Sequence, residues 1–237
     1  MLIILYIVCA LLIATVIVCL YGSFSIRSSL FGKIFWRGRS DRHQVALTFD
    51  DGPHPRFTRK ILKILKDEKV PATFFLVGKK VEAFPEVARE IVQGDHEVGC
   101  HGYTHRPLWL KTRRSLLDEI ERSRAAFEKH LSLEPVLFRP PYGIRGPRIL
   151  QLARERGWKT VFWTRAGWDW TNISGDEVAR RVLKELEPGN ILLLHDSDGP
   201  SLEADRQRTI DALGIIIREL KDRGFSFAKV TEILPEP

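Results

Sequence analysis

From Leu2 to Tyr21 the chain runs for twenty residues in which Thr15 is the only clearly polar side chain. As a helix, such a run spans about 30 Å, one bilayer core. Beyond it the pattern changes. Short apolar runs rich in β-branched and aromatic residues, at 45–49, 72–77, 97–100, 136–138, 160–163, 191–194 and 225–230, predict strands. Amphipathic stretches predict helices between them, at 58–66, 85–94, 112–131, 147–156, 176–186 and 202–223. The longest puts Leu116, Ile120, Phe127 and Leu131 on one side, with Asp118, Glu121, Arg122 and Glu128 mostly away from it. Pro85 and Pro147 suit a first turn, and Gly94 and Gly157 suit a stop.

Strands alternating with helices, with near-continuous apolar strands, predict a parallel sheet covered by helices on its outside. The expected fold is α/β, an irregular (β/α) barrel of seven to eight units; an open doubly wound sheet is the runner-up. The organisation expected is a transmembrane anchor at 1–22, a basic, aromatic juxtamembrane connector at 23–42 and one globular domain at 43–237. The connector mixes Phe31, Phe35 and Trp36 with basic residues, a composition suited to a lipid interface.

The alternative for the first segment is a cleaved signal peptide, which calls for a charged start and a small-residue cleavage site. No Lys or Arg precedes the run, so the single-pass anchor is the preferred reading. Orientation stays open. Arg27, Lys33, Arg37, Arg39 and Arg42 follow the span, which taken alone favours a cytoplasmic domain, whereas a substrate at the cell surface would place it on the outer (periplasmic or extracellular) side, the side expected here. All 37 basic and 30 acidic residues lie after the span, so the net +7 belongs to the extramembrane part. That excess suits anionic lipid or an anionic glycan. No nucleic-acid-binding pattern accompanies it. Cys9 and Cys19 lie in the span and leave Cys100 alone, so cysteine usage does not fix the compartment.

The chemistry-bearing residues cluster just past the C-terminal ends of the predicted strands, where barrels and open α/β sheets place active sites. Asp50 and Asp51 end the first strand and precede Gly52-Pro53. Adjacent carboxylates there are costly without a positive partner, and a metal ion is the economical one. His101 and His105, four apart, offer two imidazoles, and with one Asp they form a two-His, one-carboxylate set suited to Zn²⁺, Fe²⁺ or Co²⁺. Arg139 follows the fourth strand, Asp169 and Trp170 the fifth, His195 the sixth.

In register, Thr48-Phe49-Asp50-Asp51-Gly52-Pro53, His101-Gly102-Tyr103-Thr104-His105, Arg139-Pro140-Pro141-Tyr142-Gly143, Asp169-Trp170 and Leu193-Leu194-His195 resemble the NodB-homology polysaccharide deacetylases, the fourth family of carbohydrate esterases. The resemblance spans about 45–230. It implies that Asp51, His101 and His105 bind the metal, usually zinc, while Asp50 stays off it as general base. It further implies that Arg139 holds Asp50 and Asp169 orients His195, the acid. Trp170 and Leu193 shape the acetyl pocket, and the backbone N–H of Tyr142 serves the oxyanion. Two departures stand out: Gly102 replaces a usual Ser or Thr, and Ala166 stands where many relatives carry an acid. They bear on substrate preference and ligand orientation.

The expected activity is therefore metal-dependent N-deacetylation of amino sugars in a glycan, whether cell-wall, surface or lipid-linked, with Zn²⁺ first and Co²⁺ or another transition metal next. One alternative is a membrane-tethered glycan-binding module without activity, which predicts a lost ligand, base or acid. Another is a phosphoesterase, which usually carries ligands for two metals.

Overall fold

The computed structural model describes residues 1–109 and 111–235. In chain order these form α1 (Leu2–Phe24), β1 (Gln44–Asp50), α2 (Phe57–Glu68), β2 (Thr73–Leu76), α3 (Gly78–Ala83), α4 (Pro85–Gln93), β3 (Glu97–Cys100), α5 (Arg113–Leu131), β4 (Leu137–Phe138), α6 (Pro147–Glu155), β5 (Lys159–Thr160), β6 (Arg165–Ala166), α7 (Gly175–Leu183), β7 (Ile191–His195), α8 (Gln207–Asp222), β8 (Ser226–Phe227) and α9 (Val230–Ile233). A 3₁₀ turn occupies Pro141–Gly143.

The strands form a single sheet in the order β5-β4-β3-β2-β1-β7-β6, with β8 added against β1, and every pairing is parallel. The sheet is curled. Its two edge strands belong to one short stretch, 159–166, whose start pairs with β4 and whose end pairs with β7. This is the irregular barrel that the pattern predicts, rather than an open doubly wound sheet. The predicted strand at 160–163 is split because the chain must leave β4 and reach β7 within these few residues.

Both faces of the sheet are buried, and the period of two sorts them. Val45, Leu47 and Phe49 of β1, with Phe74, Leu76, Leu192 and Leu194, join the outer core beneath the helices. Ala46, Phe75, Leu137, Val161 and Ile191 face a smaller inner cluster, which Ala228, Val230, Ile233 and Leu234 close at the end of the chain. Thr48 and Asp50 share the phase of Ala46, so the strand itself aims Asp50 inward.

The segment after α1 is bound to this domain. Phe35 is buried and pairs with Val161: its N–H donates to the Thr160 carbonyl at 2.8 Å, and its carbonyl accepts from Phe162 at 2.7 Å. The Arg145 guanidinium, fully buried over the Phe162 ring, donates to the carbonyls of Ser25 and Ser28. Gly38 and Arg39 bond to Gly189 and Ile233. α1 itself is exposed and has a mean hydropathy of 3.2 over its most apolar window. It is long and apolar enough to cross a membrane, a test that a signal sequence also passes.

The predicted helix at 202–223 begins only at Gln207, because Arg206 is drawn out of helical geometry (φ −119°) and donates to the Ser197 carbonyl at 2.8 Å. The run at 225–230 yields a strand of two residues before α9 begins. α3 lacks a length of pattern sufficient to predict it.

Candidate metal and acid–base site

Because all strands are parallel, their C-terminal ends share one rim, and there the structure brings the predicted residues together. A cavity of about 500 Å³ is lined by Asp50, Asp51, His101, His105, Tyr142, Trp170, Leu193 and His195, among others. Asp50 and His195 are register partners on β1 and β7, so the pairing sets them side by side.

Asp51 takes φ 79° at the end of β1, turning its carboxylate away from the strand phase and toward the histidines. His105 Nε2 lies 2.9 Å and His101 Nε2 3.4 Å from Asp51 Oδ1. One ligand atom from each of Asp51, His101 and His105 lies within 4.8 Å of the others, and all three residues are buried. The second oxygen of Asp51 accepts the N–H of Gly199 at 2.8 Å. Gly199 has to be glycine here, since a Cβ would sit 2.8 Å from His105 Nδ1. Burial opposes the Asp51 charge, but the adjacent imidazoles of His101 and His105 hold its carboxyl well below the usual range.

The donor set fits a cation. His101 Nδ1 donates to the Arg139 carbonyl at 2.7 Å, which leaves Nε2 as a bare lone pair. That lone pair faces Asp51 Oδ1 and, at 3.7 Å, Asp50 Oδ2. Three acceptors aimed at one buried point repel one another unless a positive charge sits among them.

Asp50 is held from behind. Arg139, with no exposed surface, donates from Nη1 to Asp50 Oδ1 at 2.6 Å and to Thr48 Oγ1 at 2.8 Å. Its Nε and Nη2 reach the Val161 and Phe162 carbonyls, and its plane lies 3.9 Å from the Phe75 ring centroid. All of its hydrogen bonds hold it in one pose.

On the other side His195 Nδ1 bonds Asp169 Oδ1 at 2.8 Å, so Nε2 is the nitrogen left for the cavity. Asp169 is fully buried and accepts from the His195 N–H and from Thr209 Oγ1, each at 2.7 Å. Burial works against a charge on His195, yet Asp169, with Asp51 and Asp50 further off, raises it to about 9. Trp170 stands edge-on to the His195 ring at 5.1 Å, and Tyr142 (φ 61°) packs its ring 4.6 Å from His105.

Three residues that sequence reasoning missed hold the loop from Asp196 to Ser201. Lys80, 1% exposed, donates to Ser197 Oγ at 2.7 Å and to the Asp198 carbonyl at 3.2 Å. Burial lowers its amine to about 8. Arg206 pairs with Asp198 and bonds the Asp169 carbonyl. Asp196, fully buried, accepts from Thr58 Oγ1, and burial raises its carboxyl to about 7. Nothing in the pattern marks Lys80, which looks like a surface lysine of a short helix. The turn residues of Asp196-Ser197-Asp198-Gly199-Pro200 were a usable signal for a built loop.

The family model of polysaccharide deacetylase matches residues 37–161. The chain belongs to this family. Over 208 residues it is 34% identical to a peptidoglycan-N-acetylglucosamine deacetylase of Bacillus cereus, covering 86% of this chain and 93% of that protein. It is 36% identical over 187 residues to a chitooligosaccharide deacetylase of Sinorhizobium fredii, covering 76% and 87%. Among solved structures it resembles a peptidoglycan N-acetylglucosamine deacetylase in complex with 4-naphthalen-1-yl-N-oxidanyl-benzamide, with a TM-score of 0.80, 33% identity, and 85% and 92% coverage. The fold and the family are those that the five motifs of the sequence imply.

Proposed function

We propose that this polysaccharide deacetylase removes the N-acetyl group of an amino sugar in a glycan, using Asp51, His101 and His105 to hold one divalent cation, Zn²⁺ first and Co²⁺ next. The observation that carries this reading is the convergence of the His101 Nε2 lone pair, His105 Nε2 and Asp51 Oδ1 beside Asp50, whose register partner on the neighbouring strand is His195. A cation there supplies Lewis acidity, polarising the amide carbonyl and acidifying water.

Asp50, fixed by Arg139, collects a proton as water attacks the amide carbon. The oxyanion that develops is served by the backbone N–H of Tyr142. His195, charged through Asp169, gives its Nε2 proton to the amide nitrogen as the C–N bond breaks, so that acetate and a free amino sugar leave. Trp170 and Leu193 wall the space for the acetyl methyl. None of ligand, base or acid is lost, which disfavours an inactive binding module.

The relatives act, by their names, on peptidoglycan and on chitooligosaccharides, and both point to N-acetylglucosamine units. α1 is proposed as a single-pass tether, with the catalytic domain on the outer face, where a wall glycan lies. The basic residues after α1 argue for the other face, and protease protection in sealed vesicles decides between them.

The test uses the full chain in detergent micelles, loaded with Zn²⁺, on N-acetylated oligosaccharides, with acetate release as readout. Release by the parent, and loss of about 10²–10⁴-fold in Asp50→Ala with metal content unchanged, is the result expected. Metal binding without release from any glycan overturns the reading.

A further inference from the structure

The end of α1 is seated in the domain. Ser23, in its last turn, is buried, and its carbonyl accepts the N–H of Arg145 at 3.2 Å. The Arg145 guanidinium, with no exposed surface, donates onward to the Ser25 and Ser28 carbonyls. Phe24 meets Trp109 edge-on, with ring centroids 5.8 Å apart. Two separate segments of the domain therefore grip the end of this helix.

Both segments belong to the rim. Trp109 follows His105 and Arg145 follows Tyr142, and His105 and Tyr142 line the cavity with their rings 4.6 Å apart. A chain reaches at most about 3.6 Å per residue, so Tyr142 lies within about 11 Å of Arg145 and His105 within about 14 Å of Trp109. The two segments also touch each other: a Cβ on Gly146 would lie 2.9 Å from the Trp109 carbonyl oxygen. The joint is thus a short, closed framework between helix end and cavity.

Depth follows from α1. Its apolar run ends at Tyr21, and Ser23 lies about 3 Å further along the helix axis. The headgroup layer beyond the hydrocarbon is about 5–8 Å thick. With α1 across a bilayer, Ser23 and the Arg145 backbone bonded to it fall inside that layer. The composition suits the place: aromatic Phe24 and Trp109 belong at headgroup level, and Arg27 and Arg148, both exposed, flank the joint in sequence. We propose that this joint holds the cavity beside the headgroup layer, so that the substrate is an acetamido sugar carried on a lipid of the same leaflet rather than one far out on a polymer. The proposal rests on the glycan-deacetylase reading and on α1 as the tether, and it narrows the substrate class of that site.

The experiment places the full chain, loaded with Zn²⁺, in vesicles of phosphatidylcholine and phosphatidylglycerol. The disaccharide of N-acetylglucosamine is offered on phosphatidylethanolamine directly, on the same lipid through a long polyethylene glycol spacer that lifts it clear of the headgroups, and free in solution. Acetate release from the direct carrier should be about tenfold faster than from the lifted one at equal surface density, since only the short carrier matches the height of the cavity. A flexible Gly-Ser insertion of about fifteen residues after Phe24 spans about 20 Å and frees the domain from the helix end. It should bring the two carrier rates together while the rate on the free disaccharide stays parental. A second readout needs no activity. A spin label at Arg148→Cys, in a chain with Cys9→Ala and Cys19→Ala and with Cys100 buried, is probed with oxygen and a water-soluble nickel chelate. It should report the headgroup layer in the parent and bulk water in the insertion variant.

Equal parental rates on the two carriers, with release from the free disaccharide, overturn this inference and leave the deacetylase reading standing. A parental label in bulk water overturns it too. A label in the headgroup layer with no release from any carrier overturns the reaction, and with it the substrate, but keeps the placement of the cavity. If the insertion variant melts early, the parental carrier ratio and the parental label decide between them.

Discussion

His101 Nδ1 donates to the Arg139 carbonyl at 2.7 Å, and the guanidinium of that same arginine grips Asp50 Oδ1 at 2.6 Å. A single residue therefore orients both a proposed metal ligand and the proposed base, one through its backbone and the other through its side chain. Because β4 ends at Phe138, Arg139 stands at the rim, and its N–H is tied to the Cys100 carbonyl just before His101.

Arg139→Ala removes the guanidinium and leaves Asp50, Thr48 and the Val161 and Phe162 carbonyls without their donor in a buried place. Breaking one partner of a buried ion pair costs about 3–5 kcal/mol. Urea unfolding of the full chain should show a loss of that order, and acetate release should fall with it. Arg139→Lys should recover little of either, since a point charge cannot reach both carbonyls and the carboxylate together. An Arg139→Lys variant of parental stability and rate would refute the role assigned to this residue.

The pH dependence follows from His195. Its folded-state value is raised to about 9 through Asp169, against an ordinary 6.5. A raised histidine contributes stability that is fully present below pH 6.5 and lost as pH climbs through about 9. The proton-donating form follows the same course, so kcat should hold on the alkaline side and decline near pH 9. In Asp169→Asn the charge that raises His195 is gone, and the alkaline limb should move down by more than one pH unit, about the range open to a histidine losing its carboxylate. An alkaline limb that stays in place in Asp169→Asn assigns the acid to another group.

The cluster of residues at the rim was legible in the sequence and much of its support was not. Asp50, Asp51, His101, His105, Arg139, Asp169 and His195 follow strands whose apolar runs are strong, and parallel pairing collects strand ends on one rim whatever the details of the helices. Lys80 and Arg206 escaped because each is a long basic side chain on a short or frayed helix, where the default is solvent. Only the fold shows that Lys80 is 1% exposed and that Arg206 points back at Ser197. Phe35 and Trp36 carry the opposite lesson. Aromatic residues among basic ones suit a lipid interface by composition, yet Phe35 is buried in the sheet seam, because the split between β5 and β6 leaves Thr160 and Phe162 with backbone groups to pair.

Lys80→Met separates support from chemistry. The ammonium ties α3 to the loop whose Gly199 N–H holds Asp51 Oδ2, and it touches no proposed ligand itself. Loss of a group that orients a metal ligand typically weakens metal affinity by about 10–100-fold. Burial disfavours the Lys80 charge, so a methionine of similar length should leave stability near that of the parent. Zinc competition against a chelator, beside thermal melting of the metal-free chain, reads the two effects apart. Unchanged zinc affinity with a lowered melting temperature would make Lys80 a packing residue only.

Phe35→Ala tests whether the segment after α1 is a free connector or part of the barrel. Phe35 is packed with Val161, Ala228, Val230 and Ile233 in the inner cluster and also supplies the backbone that pairs 160 and 162. Removing a buried phenylalanine side chain costs about 3–5 kcal/mol when the neighbours cannot close over the gap. Here they cannot, since the backbone on both sides is fixed by hydrogen bonds at 2.8 and 2.7 Å. Urea unfolding should register that loss, whereas Leu30→Ala, at an exposed position of the same segment, should stay near the parent. The seam also carries the carbonyls of Val161 and Phe162 that steady Arg139, so Phe35→Ala should reduce acetate release at temperatures below its own unfolding. Equal stability of Phe35→Ala and parent would return the segment to a linker and detach it from the site.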